Sequence, residues 1–285
     1  MKNTEQSRRH FLQVVGVGAA SLAGSGPCLA QVGSAGKGRK SKPKFELGLA
    51  SYTLREFKLE DTLAMTKRVG LKYICFKSMH MELDSTPAQI EATVQKVKDA
   101  GLVLYGGGVI SMKNENQVNQ AFDYAKAAGM KVIIAAPSYE MLPMIEKKVK
   151  QYDIKVAIHN HGPGDDIFPT PSVALEHIKN MDKRIGMCHD IGHTKRYESD
   201  PIAETKLCSD RLHDVHIKDV SAANKNGHGV EVGRGVIDIP RFLKTLIKMD
   251  YDGIVSFEYE KDAKDPLAGL AESVGYVKGV LAAIG

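Results

Sequence analysis

Residues 155–161, Lys155-Val156-Ala157-Ile158-His159-Asn160-His161, form a short apolar run that stops abruptly in two imidazoles and an amide. Side chains alternate along a strand, so His159 and His161 share the face that Ala157 takes. Further on, Ile185-Gly186-Met187-Cys188-His189 leads in the same way to Asp190, with His193 three residues later. A third run, Leu212-His213-Asp214-Val215, leads to His216 and Lys218 on one face, and Ile254-Val255-Ser256-Phe257 ends on Glu258. Four apolar runs that each end in metal-binding side chains point to strands delivering their C-terminal ends to one place.

The same rhythm extends outward in both directions. Short apolar or β-branched runs occur at 46–51, 73–77, 102–110, 131–136, 155–161, 185–190, 212–217 and 253–258. Helical periodicity fills the intervals, as at 87–94 and 118–125, and Gly70, Gly101 and Gly129 follow helical runs where C-caps belong. Eight strand–helix units predict a single-domain α/β fold, the closed (β/α)8 TIM barrel. A doubly wound sheet would carry a Gly-rich phosphate loop after its first strand, and Ser51-Tyr52-Thr53-Leu54 is not one. In a barrel the active site lies at the C-terminal strand ends, so Ser51, Lys77 with His80, Gly106 to Gly108, Pro137 and the four endings above converge on one mouth.

The barrel domain is expected to occupy 45–285. Ahead of it, Arg8-Arg9 precedes a Gly- and Ala-rich apolar run and Cys28-Leu29-Ala30, the layout of a twin-arginine signal peptide over 1–30 with a periplasmic or otherwise exported destination. Such export carries folded proteins, which suits one that takes up its cofactor first. Residues 31–44, rich in Gly, Ser and Lys, read as a flexible linker. The net charge of +5 comes from these segments, which hold eight of the 39 basic residues and one of the 34 acidic ones. The body is therefore slightly acidic and offers no nucleic-acid surface by charge. No run of eighteen apolar residues follows the leader, so no membrane span is expected. Cys75 and Cys188 fall in separate strands and read as small buried apolar residues rather than a disulfide.

Two imidazoles and two carboxylates make a mixed nitrogen and oxygen donor set. It suits one divalent ion such as Mn, Zn, Co, Fe or Mg better than an all-oxygen calcium cage. His159 and His161 both remain candidates for the first position. Lys218 reads either as a charge for a developing oxyanion or as an ion-pair partner of Asp190 or Asp219. Lys77 and His80 read as a grip on sugar hydroxyls or as a solvated loop pair, and Arg234, between Gly233 and Gly235, as an anion contact. The Lys147-Lys148-Val149-Lys150 run reads as a solvated helix face.

The combination of His159-Asn160-His161, Asp190-Ile191-Gly192-His193, His216-Ile217-Lys218-Asp219, Gly233-Arg234-Gly235-Val236-Ile237-Asp238 and Glu258 resembles the xylose-isomerase-like sugar isomerase and epimerase superfamily. The resemblance runs over the body from Phe45 onward. It implies one divalent metal held by His159, Asp190, His216 and Glu258, with His193 and Lys218 facing a small-molecule sugar. Family members more often carry Glu at the first ligand position, where this chain has His159. Their epimerases use two opposed glutamates as bases on the two faces of the sugar, so His159 breaks that symmetry. A one-base reaction on a non-phosphorylated keto sugar or glycoside is then expected: isomerisation on a single face, hydration or β-elimination. Glu258, Lys218 and His161 are the catalytic candidates, and His193, Lys77, His80 and Arg234 the substrate-binding ones. Two competing readings are a non-catalytic sugar-binding barrel and a DNA-repair endonuclease barrel, which needs three metals and a basic groove. The oligomeric state stays open.

Overall fold

The structure is a computed structural model that describes residues 42–284. The signal peptide expected at 1–30 and most of the linker expected at 31–44 lie outside the described residues.

The described chain runs β1 (Glu46–Ala50), α1 (Leu59–Arg68), β2 (Tyr73–Phe76), α2 (Pro87–Asp99), β3 (Val103–Met112), α3 (Glu115–Ala127), β4 (Val132–Pro137), α4 (Leu142–Tyr152), β5 (Lys155–His159) and α5 (Pro171–Ile178). It continues through β6 (Ile185–Asp190), α6 (Ile191–Arg196), α7 (Pro201–Leu207), β7 (Leu212–Ile217), β8 (Asp219–Val220), β9 (Gly229–Val230), α8 (Ile239–Lys248), β10 (Ile254–Phe257) and α9 (Leu267–Ile284). Eight parallel strands close into a barrel in the order β1-β10-β7-β6-β5-β4-β3-β2, as the sequence rhythm predicts. The short β8–β9 hairpin and the α6–α7 pair were not foreseen, because a two-residue strand or a helix of six or seven residues is too short to show a period.

Alternation along the strands divides the core in two. Leu49, Ile74, Phe76, Ile133, Ile158, Ile217 and Phe257 are buried in the large core shared with the helices. Cys75, Tyr105, Val132, Ile134, Ala157 and Cys188 form a separate cluster inside the barrel. His159 follows Ala157 on the inward face, so it stands on this layer at the mouth. Local signals agree with the fold: Thr86 and Gln89 form a capping box on α2, and Gly70 and Gly129 close α1 and α3 with φ of +73° and +68°. Cys75, Cys188 and Cys208 are free and buried, and burial pushes their thiols up, out of reach of ready ionisation.

The motif from Gly233 to Ile237 finds its reason here. Asp219, buried, accepts the amides of Val220 and Ile237 on Oδ1 and those of Gly233 and Gly235 on Oδ2. A Cβ at Gly235 would collide with the Asp219 carboxylate and the Val220 carbonyl, so glycine permits the close approach. Asp219→Ala would strand four amides and is expected to cost about 3 kcal/mol or more of stability in urea denaturation.

The C-terminal helix α9 departs from the sequence expectation: by length and composition it is apolar enough to cross a membrane. It buries Leu270, Val274 and Val277 in the protein core, as a barrel helix does.

Candidate metal centre

The strand ends bring four donors together. Donor atoms of His159, Asp190, His216 and Glu258, all buried, lie within 4.8 Å of one another. His159 Nε2 is 3.0 Å from His216 Nδ1, 3.5 Å from Asp190 Oδ2 and 3.9 Å from Glu258 Oε2, and His216 Nδ1 is 3.2 Å from Glu258 Oε2. A divalent ion at roughly 2.0–2.2 Å from each donor requires donors spaced about 3–3.6 Å apart. The residues fit such an ion.

Register and local hydrogen bonds explain the arrangement. Asp190 and His216 are paired across β6 and β7, and His216 is paired with Ser256 of β10, so Glu258 emerges one pleat higher. Asp190 also caps α6: its Oδ1 accepts the His193 amide at 2.7 Å, which leaves Oδ2 for the cluster. Asn160, to which the sequence reading gave no role of its own, latches β5 to β6. Its Oδ1 accepts the Asp190 amide at 2.9 Å, and its Nδ2 donates to the Asp190 carbonyl and to Thr194 Oγ1.

Burial and charge set the protonation states. Burial pushes His159 down to about 3, so it is a neutral imidazole of the kind that ligates metals. Burial opposes ionisation of Asp190 and Glu258, yet the groups packed against them hold both well below the ordinary carboxylate range. These are His193, Lys218 and His159 around Asp190, and Lys218, His216 and His159 around Glu258. His216 is drawn up against its own burial by the Glu258 charge and hydrogen bond, whereas as a metal ligand it would be a neutral imidazole. Cys188 lies within reach of both imidazoles, but burial and the Asp214 and Glu258 charges keep its thiol protonated. The carboxylates therefore complete the set.

The other candidate side chains divide. His161 is outside the four-donor set, half-exposed, with its ring 4.6 Å from that of His159 and its Nδ1 3.4 Å from Asp165 Oδ2. The His193 ring stands 5.9 Å from both His159 and His161. Lys218 is buried, with Nζ 2.7 Å from Glu258 Oε2, 2.8 Å from Asp190 Oδ2 and in close contact with Glu260 Oε1. Lys77 Nζ donates to the Val109 carbonyl at 3.1 Å and lies over the Tyr52 ring. A cavity bordered by His193, Arg196, Lys218, Val230, Glu258 and Glu260 opens beside the donors. Arg196 and Glu260 were missed in the sequence, Arg196 because it sits on the short α6 and Glu260 because it follows Glu258 past the strand end.

Two expectations are corrected. Arg234 is not a free anion contact: its Nε and Nη2 donate to the Glu272 carboxylate on α9, in the open. His80 is not a free sugar contact, because its Nδ1 is 2.9 Å from Ser51 Oγ and its Nε2 2.9 Å from Thr62 Oγ1 in a buried position. Burial lowers its pKa below the ordinary 6.5, so the unfolded chain binds a proton that the folded chain refuses. Stability is then lost as pH falls through that ordinary value. Urea midpoints are expected to drop between about pH 7.5 and about pH 5.5, and to drop less in His80→Asn.

Comparison with known proteins bears on this geometry. A family model described as a xylose isomerase-like TIM barrel matches residues 46–280. The uncharacterized protein MJ1311 of Methanocaldococcus jannaschii is 29% identical over 133 residues, 45% of this chain and 44% of that protein. The chain spans less than half the length of the curated relatives it matches. Among solved structures, an L-ribulose 3-epimerase superposes with a TM-score of 0.68 at 16% identity, over 84% of this chain and 95% of that one. The 3-keto-D-glucoside 4-epimerase YcjR of E. coli superposes with a TM-score of 0.67 at 16% identity, over 82% and 99%. At such identity these structures show the fold alone. With the family model spanning the whole closed barrel, this chain belongs to the xylose isomerase-like TIM-barrel family.

Proposed function

We propose that this protein is an exported, divalent-metal-dependent isomerase or lyase that removes a proton from the carbon beside a carbonyl of a non-phosphorylated keto sugar or keto-glycoside. The observation that carries the reading is the convergence of His159 Nε2, Asp190 Oδ2, His216 Nδ1 and Glu258 Oε2 at metal-ligand spacing at the barrel mouth. The names of the neighbours support the substrate class, since one acts on L-ribulose and another on a 3-keto-D-glucoside. The Arg8-Arg9 leader supports export, and an exported enzyme meets few sugar phosphates.

When bound, a divalent ion at these donors supplies a Lewis acid for the carbonyl and its neighbouring hydroxyl. His161 is assigned the proton. Asp165 Oδ1 is held by the amides of Ile167 and Phe168, its Oδ2 faces His161 Nδ1, and Nε2 is left as the accepting nitrogen. Lys218 supplies positive charge for the oxygen on which negative charge develops. With an imidazole at 159 in place of a carboxylate, one face of the sugar lacks an acidic side chain to act on it. The proton is then returned on the same face, to the adjacent carbon, or leaves with a β-substituent.

The test incubates the metal-loaded protein with a panel of sugars and 3-keto-glycosides in deuterated water. Deuterium at the carbon beside the carbonyl of recovered substrate or product is expected. A metal-loaded protein that exchanges and consumes nothing across the panel refutes the reading and leaves sugar binding in its place.

A further inference from the structure

The two carboxylate oxygens that face the imidazoles already serve a cation. Lys218 Nζ lies 2.8 Å from Asp190 Oδ2 and 2.7 Å from Glu258 Oε2, the same atoms that converge with His159 and His216. A third carboxylate, Glu260, also touches the ammonium, yet it stands outside the four-donor set and its side chain is 38% exposed. Two positive charges on one pair of oxygens repel strongly in a buried site. We infer that Glu260 is a positioning residue, the berth that retains the Lys218 ammonium when a divalent ion takes Asp190 and Glu258, so that Lys218 and the metal compete for the same oxygens.

This rests on the four-donor reading above. The lysine is buried and lines the same cavity as Glu258 and Glu260. Glu260 is a carboxylate outside the donor set with which the lysine already makes a contact. The movement leaves Lys218 charged and facing the cavity, where a substrate oxyanion would meet it. Metal loading thus both equips the site and frees the lysine.

The sign of the effect is opposite for the two residues, and the double variant separates the berth from a through-space charge effect, which would persist without the lysine. In calorimetric titration of metal-stripped full-length protein with Mn²⁺, Lys218→Met is expected to bind about ten- to a hundredfold more tightly than the unsubstituted protein. Glu260→Gln is expected to bind about tenfold more weakly. The double variant should match Lys218→Met, because without the ammonium no berth is needed. Unchanged or weaker Mn²⁺ binding by Lys218→Met overturns the inference, and so does a loss on Glu260→Gln that persists in the Lys218→Met background. Glu260→Gln alters a partly exposed side chain and carries the test alone if Lys218→Met does not fold: unchanged affinity there is also refuting. Failure of the unsubstituted protein to bind Mn²⁺, Zn²⁺ or Co²⁺ removes the metal reading itself. Normal binding with indifferent variants removes only the competition.

Discussion

Glu258→Gln is expected to lose metal and turnover together. The substitution keeps the shape of the side chain and removes one of two negative charges from a buried donor set. It also withdraws the Glu258 partner of Lys218 and of His216. Breaking a buried charge pair costs about 3–5 kcal/mol, which corresponds to a fall in metal affinity of roughly two to four orders of magnitude. Deuterium exchange into substrate should fall by about a thousandfold or more, since the Lewis acid leaves with the carboxylate. Metal analysis after dialysis against a fixed free Mn²⁺ concentration, run beside the exchange assay, checks both. Retention of stoichiometric metal at unchanged affinity would take Glu258 out of the donor set.

His161→Asn separates the base from the ligands. Because His161 stands outside the four buried donors and is oriented by Asp165, its loss is expected to lower turnover by about 10²–10⁴-fold. Mn²⁺ affinity should change by less than about threefold, as no donor to the ion is removed. Asp165→Asn should act in the same direction and by less, since it disturbs the orientation of the ring and not the ring itself. Both variants are compared with Glu258→Gln in one calorimetric and exchange series. A parallel loss of metal in His161→Asn would make His161 a ligand and return the proton transfer to Glu258.

The barrel was legible in the sequence because its signals are local and repeat. A run such as Val156-Ala157-Ile158 declares a buried strand in itself, and its recurrence with helical intervals leaves few closed topologies. The candidate positions Asp190, His216 and Glu258, with His159 or His161 for the fourth, were legible for the same reason. Each lies at the end of such a run, and a parallel barrel sends all those ends to one mouth. Alternation also placed His216 and Lys218 on a common face.

Periodicity assigns a face, but it says nothing of which distant group a side chain meets. His159 and His161 share a face by alternation, and only the end of β5 at His159, with the loop turning His161 toward Asp165, separates donor from neighbour. Arg234 looked like an anion contact until α9 presented Glu272, and His80 looked free until Thr62 and Ser51 closed on its two nitrogens. Asn160 as a latch on Asp190 and Glu260 beside Lys218 depend on pairs 30 and 42 residues apart in the chain. The sequence by itself determined the barrel and the strand ends that carry the donors, because both follow from local periodicity. The tertiary structure decided the partners of each polar side chain, because those depend on packing between segments that share no period.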